Sequence, residues 1–131
     1  MDEKDWQSMA AAARAMSGVW VPAVLFALSR SNGPLRFKQL VEQVRSADPE
    51  HGAPPDGRAL YNSTLVQTLQ IMERDGLVKR EERVRTIPRV VTYELTESAR
   101  KLIAVMGTVR DWRGLKQEDS PAGRVEWKSW R

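Results

Sequence analysis

Residues 62–95 constrain the chain more than any other stretch, because a helix pattern, a stop and two β runs follow one another there directly. Leu65, Leu69 and Met72 share one stripe at helical spacing across residues 62–74, and the other side of that helix is polar. Asp75 and Gly76 supply a left-handed stop. Residues 77–84 and 90–95 then read as strands, the second alternating Val91, Tyr93 and Leu95 against Val90, Thr92 and Glu94. Residues 85–89, with Pro88, form the turn between them.

The preceding sequence supplies helices. Alanine dominates residues 5–16, with Trp6, Met9 and Met16 among them, which gives a helix of high intrinsic propensity that Ser17 and Gly18 interrupt. Residues 19–28 are apolar nearly all round, the pattern of a helix buried on most sides, and Pro22 fits only in its first turn. Ser31, Asn32, Gly33 and Pro34 end it. Phe37, Leu40, Val41 and Val44 recur at helical spacing, with Lys38, Gln39, Glu42 and Arg45 outside. Residues 46–58 have the proline, glycine and aspartate content of an exposed loop. After the hairpin, Thr96 is placed to cap a last helix in which Leu102, Ile103, Met106 and Val109 line one side as far as about Trp112. Residues 114–131 are mostly polar, Trp127 and Trp130 apart, and are expected to form a flexible tail behind a single domain spanning 1–113.

Composition narrows the function classes. The 131 residues suffice for one core, and with 41% hydrophobic and 29% charged residues the chain reads as folded and soluble. No run approaches the roughly 20 apolar residues of a membrane span, and residues 1–5 lack the order of a signal peptide, so a cytoplasmic location is expected. Cysteine is absent, which excludes disulfides, thiolate nucleophiles and zinc fingers. His51 lies in the loop without a second soft ligand, and Asp48, Glu50 and Asp56 lack the regular donor spacing of a calcium loop. With no phosphate-binding glycine loop and no serine or threonine near a histidine base, neither enzyme activity nor a cofactor is expected.

Helix, helix, polar-faced helix, hairpin, helix is the order of a winged helix-turn-helix, an α+β and mostly α fold whose third motif helix enters the major groove of DNA. At about 100° per residue, Ser63, Gln67 and Gln70 fall within roughly 40° of the direction opposite the apolar stripe, and Thr64 and Thr68 flank them. No carboxylate occurs in residues 58–72, so a phosphate backbone can approach. Amides and hydroxyls are the groups that read base edges, which makes Ser63, Thr64, Gln67, Thr68 and Gln70 the candidate base contacts. Lys79, Arg80, Arg83, Arg85 and Arg89 collect charge on the hairpin against Glu81 and Glu82. Of these, Arg83, Arg85 and Arg89, together with Lys38 on the earlier helix, are candidates for the DNA backbone or minor groove. An ordinary solvated helix face and hairpin give the same residue types, and a winged-helix module that binds protein instead of DNA is the alternative.

The chain also resembles the HxlR-type winged helix-turn-helix regulators, whose basic plan MarR-like and PadR-like regulators share. The resemblance is carried by Trp20, Arg36-Phe37 and Leu40, by Leu65, Leu69, Glu73, Asp75, Gly76, Leu77 and Val78, and by Pro88, Val91, Tyr93, Leu95-Thr96 and Trp112. It implies a homodimer built with the terminal helices that binds double-stranded operator DNA, and it leaves a small-molecule effector open. The small side chains of residues 10–13 suit close helix contact between subunits. Three departures limit the transfer. The cysteine that members often carry ahead of the tryptophan helix is absent, so thiol sensing is not inherited. The serine that usually opens the recognition helix is replaced around Tyr61, leaving Asn62 or Ser63 to cap it. Residues 47–58 form a longer loop than the family pattern places before that helix.

Overall fold

Helix α1 (Glu3–Ala15) starts earlier than its alanines suggest, because Asp2 and Asp5 form a capping box in which each carboxylate accepts the other's backbone N–H at 2.9 Å. The computed structural model describes residues 1–83, 85, 87–109 and 112–113, and the chain divides into two units, Met1–Ala99 and Arg100–Arg131. No residue of α1 is buried. The core begins with Trp20 and with α2 (Val21–Arg30), which buries Val21, Ala23, Val24, Ala27 and Leu28 and carries Pro22 in its first turn. That placement is the expected one, since a proline there removes no intrahelical hydrogen bond.

Strand β1 (Leu35–Arg36) is an addition to the expected elements. Two residues are too few to show alternation, so nothing in the local pattern marks them as a strand. They pair with the far hairpin strand, Leu35 opposite Tyr93 and Arg36 opposite Thr92. Helix α3 (Phe37–Ser46) follows at once and buries Leu40, Val41 and Val44. Helix α4 (Asn62–Arg74) buries Leu65, Leu69 and Met72, the stripe expected from spacing. Strands β2 (Val78–Arg83) and β3 (Val90–Leu95) form the antiparallel hairpin, and the sheet order is β1-β3-β2.

The loop between α3 and α4 corrects one expectation. Instead of lying wholly exposed it buries Pro54 and Leu60 and packs Gly52 against α2. Asp48 accepts the His51 N–H at 3.0 Å to cap a 3-10 turn, Pro49–His51, and Gly52 leaves that turn at φ 96°. A Cβ on Gly52 would stand 2.6 Å from the Ala23 nitrogen and the Pro22 carbonyl carbon, so only glycine allows the approach. The His51 ring stacks on Phe26 with centroids 4.5 Å apart, and its Nδ1 lies 2.6 Å from Asp48.

Four elements meet at residues 76, 77 and 96. The Leu77 N–H donates to the Met72 carbonyl at 2.8 Å and the Gly76 N–H to that of Glu73 at 3.1 Å, the Schellman arrangement, with Gly76 at φ 77°. Thr96 then donates its hydroxyl to the Gly76 carbonyl at 2.6 Å and its N–H to that of Leu77 at 3.1 Å. The same hydroxyl accepts the Ala99 N–H at 3.0 Å and so caps α5 (Glu97–Val105), as the sequence predicts. Helix α5 stops short of Trp112. It ends at Val105, Met106 forms a turn and helical geometry resumes at 107–109. Val105, Met106, Val109 and Trp112 of the second unit are exposed. The expected tail, 114–131 with Trp127 and Trp130, lies outside the described residues.

Replacing Thr96 by valine keeps the β-branched shape and removes the hydroxyl from both the cap and the Gly76 carbonyl. We expect a loss of about 1–2 kcal/mol in denaturant unfolding, with Thr96→Ser close to wild type. Equal stability of the valine and serine variants would show that this junction is not held by the hydroxyl.

Candidate nucleic-acid interface

The polar side of α4 emerges directly from the way its apolar stripe is buried. With Leu65, Leu69 and Met72 turned inward, Ser63, Gln67 and Gln70 are exposed together on the outside. Arg74 continues their ridge and pairs with Asp75 at 3.3 Å. The same 100° arithmetic that groups Ser63 and Gln67 places Arg74 about 20° from Ser63, so this cation was readable from the sequence.

Thr64 and Thr68 occupy a different position. Both are half-buried, and the Thr68 hydroxyl donates to the Thr64 carbonyl at 2.8 Å. Thr68 and Ile71 line a cleft of about 530 Å3 with Ala11, Arg14, Ser17 and Val21, while both threonines face a second one with Trp20 and Tyr61. They therefore flank the ridge on the side of α1 and α2, away from the hairpin.

The start of α4 departs from expectation. Tyr61 is the N-cap and makes no side-chain capping bond, so neither Asn62 nor Ser63 serves as the cap. Asn62 is already helical, and its Oδ1 accepts a hydrogen bond from Arg45 at 3.0 Å, while the same guanidinium reaches the Leu60 carbonyl at 3.4 Å. Arg45 on α3 thus fixes the two motif helices to each other. The first turn of α4 carries no acidic residue, so its positive end is not neutralised locally. Lys38 is exposed on α3.

The hairpin register sorts the basic residues by face. Val78, Arg80 and Glu82 lie on one face of β2, opposite Leu95, Tyr93 and Val91 of β3, and the burial of Val78 and Leu95 marks this face as the inner one. Arg80 and Tyr93 line a groove of about 390 Å3 with Val66, Gln70 and Glu73 of α4. Hydrogen bonding to the Tyr93 phenol, and secondarily to Glu82, raises the Arg80 pKa above its ordinary value. Arg80 and Arg89 both reach Glu82 at 3.3 Å. Lys79, Glu81 and Arg83 fall on the other face, and Arg83, Arg85 and Arg89 are all exposed. The sequence listing of hairpin cations did not distinguish Arg80, because its pairing with Tyr93 follows only from the register across the turn.

A helix fixed by its predecessor, a polar ridge on its outer side and a basic antiparallel hairpin directly after it define a winged helix-turn-helix. Residues 57–120 match the HxlR-like helix-turn-helix family. The chain is 30% identical over 105 residues, covering 80% of itself and 79% of the relative, to an HTH-type transcriptional regulator of Halalkalibacterium halodurans. It belongs to the HxlR-like helix-turn-helix family and is a transcriptional regulator with a helix-turn-helix DNA-binding fold. Among solved structures it is similar to a MarR-family transcriptional regulator of Enterococcus faecalis, with a TM-score of 0.67 and 23% identity over 95% of this chain and 96% of that one. It is similar also to the diamide-treated YodB of B. subtilis, with a TM-score of 0.64 and 23% identity over 88% and 94%. Among the described residues no helix is long and apolar enough to cross a membrane.

Arg45→Met keeps the aliphatic stem of the side chain and removes both bonds to the start of α4. Its expected cost is about 0.5–1.5 kcal/mol, with faster amide exchange confined to the first turn of α4. Unchanged exchange there would mean that the loop alone positions the helix.

Proposed function

We propose that the protein acts in the cytoplasm as a homodimer that recognises an imperfect palindrome in duplex DNA, each α4 lying in a major groove about 34 Å from its counterpart. The observation that carries this reading is the ridge of Ser63, Gln67 and Gln70, exposed on a helix with no acidic residue in its first turn. Gln67 is central on that ridge and has the bidentate chemistry that suits adenine, with Ser63 and Gln70 on either side. Thr64 and Thr68 are the flanking members of the same base-reading set. Arg83, Arg85 and Arg89 on the hairpin, with Lys38 on α3, act on the phosphate backbone or in the minor groove as position-setting contacts that carry no sequence information themselves.

Dimerisation draws its support from α1. A helix of 13 residues is marginal in water on its own, and α1 has no buried residue while Trp6 is 54% and Met9 52% exposed. Its run of alanines at residues 10–13 permits the close approach of a second helix.

Selection from a random duplex pool at physiological salt tests the reading directly. Enrichment of a palindromic motif bound about a thousandfold more tightly than a scrambled duplex is expected, with the protein dimeric by light scattering. Gln67→Ala should lower the preference for that motif by about 1–3 kcal/mol, whereas Arg85→Ala should weaken all duplexes alike and flatten the salt dependence. A folded dimer that enriches no motif, or a stable monomer, would overturn the proposal. In the first case a winged-helix module for protein partners becomes the better reading.

A further inference from the structure

The hairpin carries five basic residues between positions 79 and 89, yet one carboxylate sits among them in an unusual position. Glu82 receives two guanidiniums at once, Arg80 from two residues back on its own strand and Arg89 from just beyond the opposite strand, each at 3.3 Å. The Glu82 side chain is more enclosed than either partner, at 28% exposure against 41% for Arg80 and 71% for Arg89. The two arginines are not equivalent. Arg80 stands directly across the strand pair from Tyr93 and lines with it the groove beside Gln70 and Glu73. Among the described residues Arg89 pairs with Glu82 alone, and its side chain is mostly exposed.

We propose that Glu82 is a positioning residue that sets how strongly the hairpin attracts DNA irrespective of sequence. In the free protein it holds Arg89 off the phosphate backbone and keeps Arg80 beside Gln70. On DNA, Arg89 exchanges Glu82 for a phosphate, while Arg80 stays and keeps the carboxylate neutralised. The exchange is cheap because the carboxylate left behind is still paired, whereas breaking a one-to-one pair would leave an uncompensated charge near the sheet. Each duplex, specific or random, therefore has to win Arg89 from Glu82. Sequence-independent binding is weakened accordingly, and discrimination falls to the ridge of α4. This inference rests on the DNA-binding reading above.

The experiment is a double-mutant cycle on the full chain, with fluorescence-anisotropy titration of a random-sequence duplex and of a selected motif. Glu82→Gln is expected to tighten binding to the random duplex about two- to fivefold, the range of an exposed ion pair. Arg89→Ala should cost more in the Glu82→Gln background than in the wild type, because only there is Arg89 fully available. Glu82→Asp separates the bridge from plain charge. It keeps the negative charge but lacks the reach to hold both guanidiniums, so it should move toward Glu82→Gln in the cycle. If Glu82→Asp matches the wild type, or if Arg89→Ala costs the same in both backgrounds, the clamp is wrong and Glu82 acts only through net charge. Arginine Nη–Hη resonances in the DNA-free protein give a second readout, since both guanidiniums reach Glu82 through Nη1, and Glu82→Gln should shift those of both Arg80 and Arg89. Should no duplex bind while both resonances shift, the function reading fails and the bridge stands. Binding without those shifts overturns the bridge alone.

Discussion

The fold depends on one junction, the hydrogen bonds that tie Thr96 to the turn at Gly76 and Leu77. Gly76 ends α4 in a conformation that costs L-residues roughly 1–2 kcal/mol, and its carbonyl then receives the Thr96 hydroxyl. Leu77 closes the Schellman motif through its N–H and accepts the Thr96 N–H through its carbonyl. The end of α4, both ends of the hairpin and the start of α5 are thereby fixed within a few residues. A hairpin so anchored at its base has little freedom to rotate about the end of α4, and this turns an amphipathic helix and a basic hairpin into one continuous surface.

What the sequence made legible was what neighbouring residues decide. The bounds of α4, its buried stripe, the stop at Gly76 and the cap at Thr96 all follow from spacing and from the chemistry of adjacent side chains, and each is observed. The start of α1 was legible too, in Asp2 and Asp5, once the capping box is weighed beside alanine content. Distant partners decided the rest. Strand β1 exists only because β3 has a bare edge for Leu35 and Arg36. Asn62 looked like a cap because asparagine favours that role, but Arg45, 17 residues earlier, takes its side-chain oxygen instead. The loop looked solvent-exposed by composition, yet Gly52 and Pro54 are used for packing against the core, and no local pattern distinguishes a turn-forming glycine from one that lets two backbones touch.

That loop also accounts for how a long connection fits inside a helix-turn-helix. Between α3 and α4 a freely mobile segment would leave the second helix poorly oriented, since a flexible linker fixes only the distance of its ends. Here the segment is held at two places, by Gly52 and His51 on α2 and by Leu60 in the core. Arg45 then joins α3 to both Leu60 and Asn62 at the point where α4 begins. Extra residues are thus absorbed against α2 and do not displace the helix that follows them.

On the proposed reading, the distribution of charge separates two tasks that a more uniformly basic surface would merge. The ridge formed by Ser63, Gln67 and Gln70 is uncharged, and the hairpin carries the cations. Attraction to phosphate is long-ranged, depends on salt and is indifferent to sequence, whereas an amide against a base edge acts only on contact and fails when the base is wrong. Adding cations to the ridge would strengthen every complex while lowering the share of binding that depends on sequence. Arg74, at the end of that ridge, is paired with Asp75, and Arg80, the hairpin cation lining the groove beside Gln70, is paired with Glu82. Both of these cations already have an acidic partner within the fold, so on the proposed reading the neutral side chains of α4 are the groups whose binding energy depends on the sequence they meet.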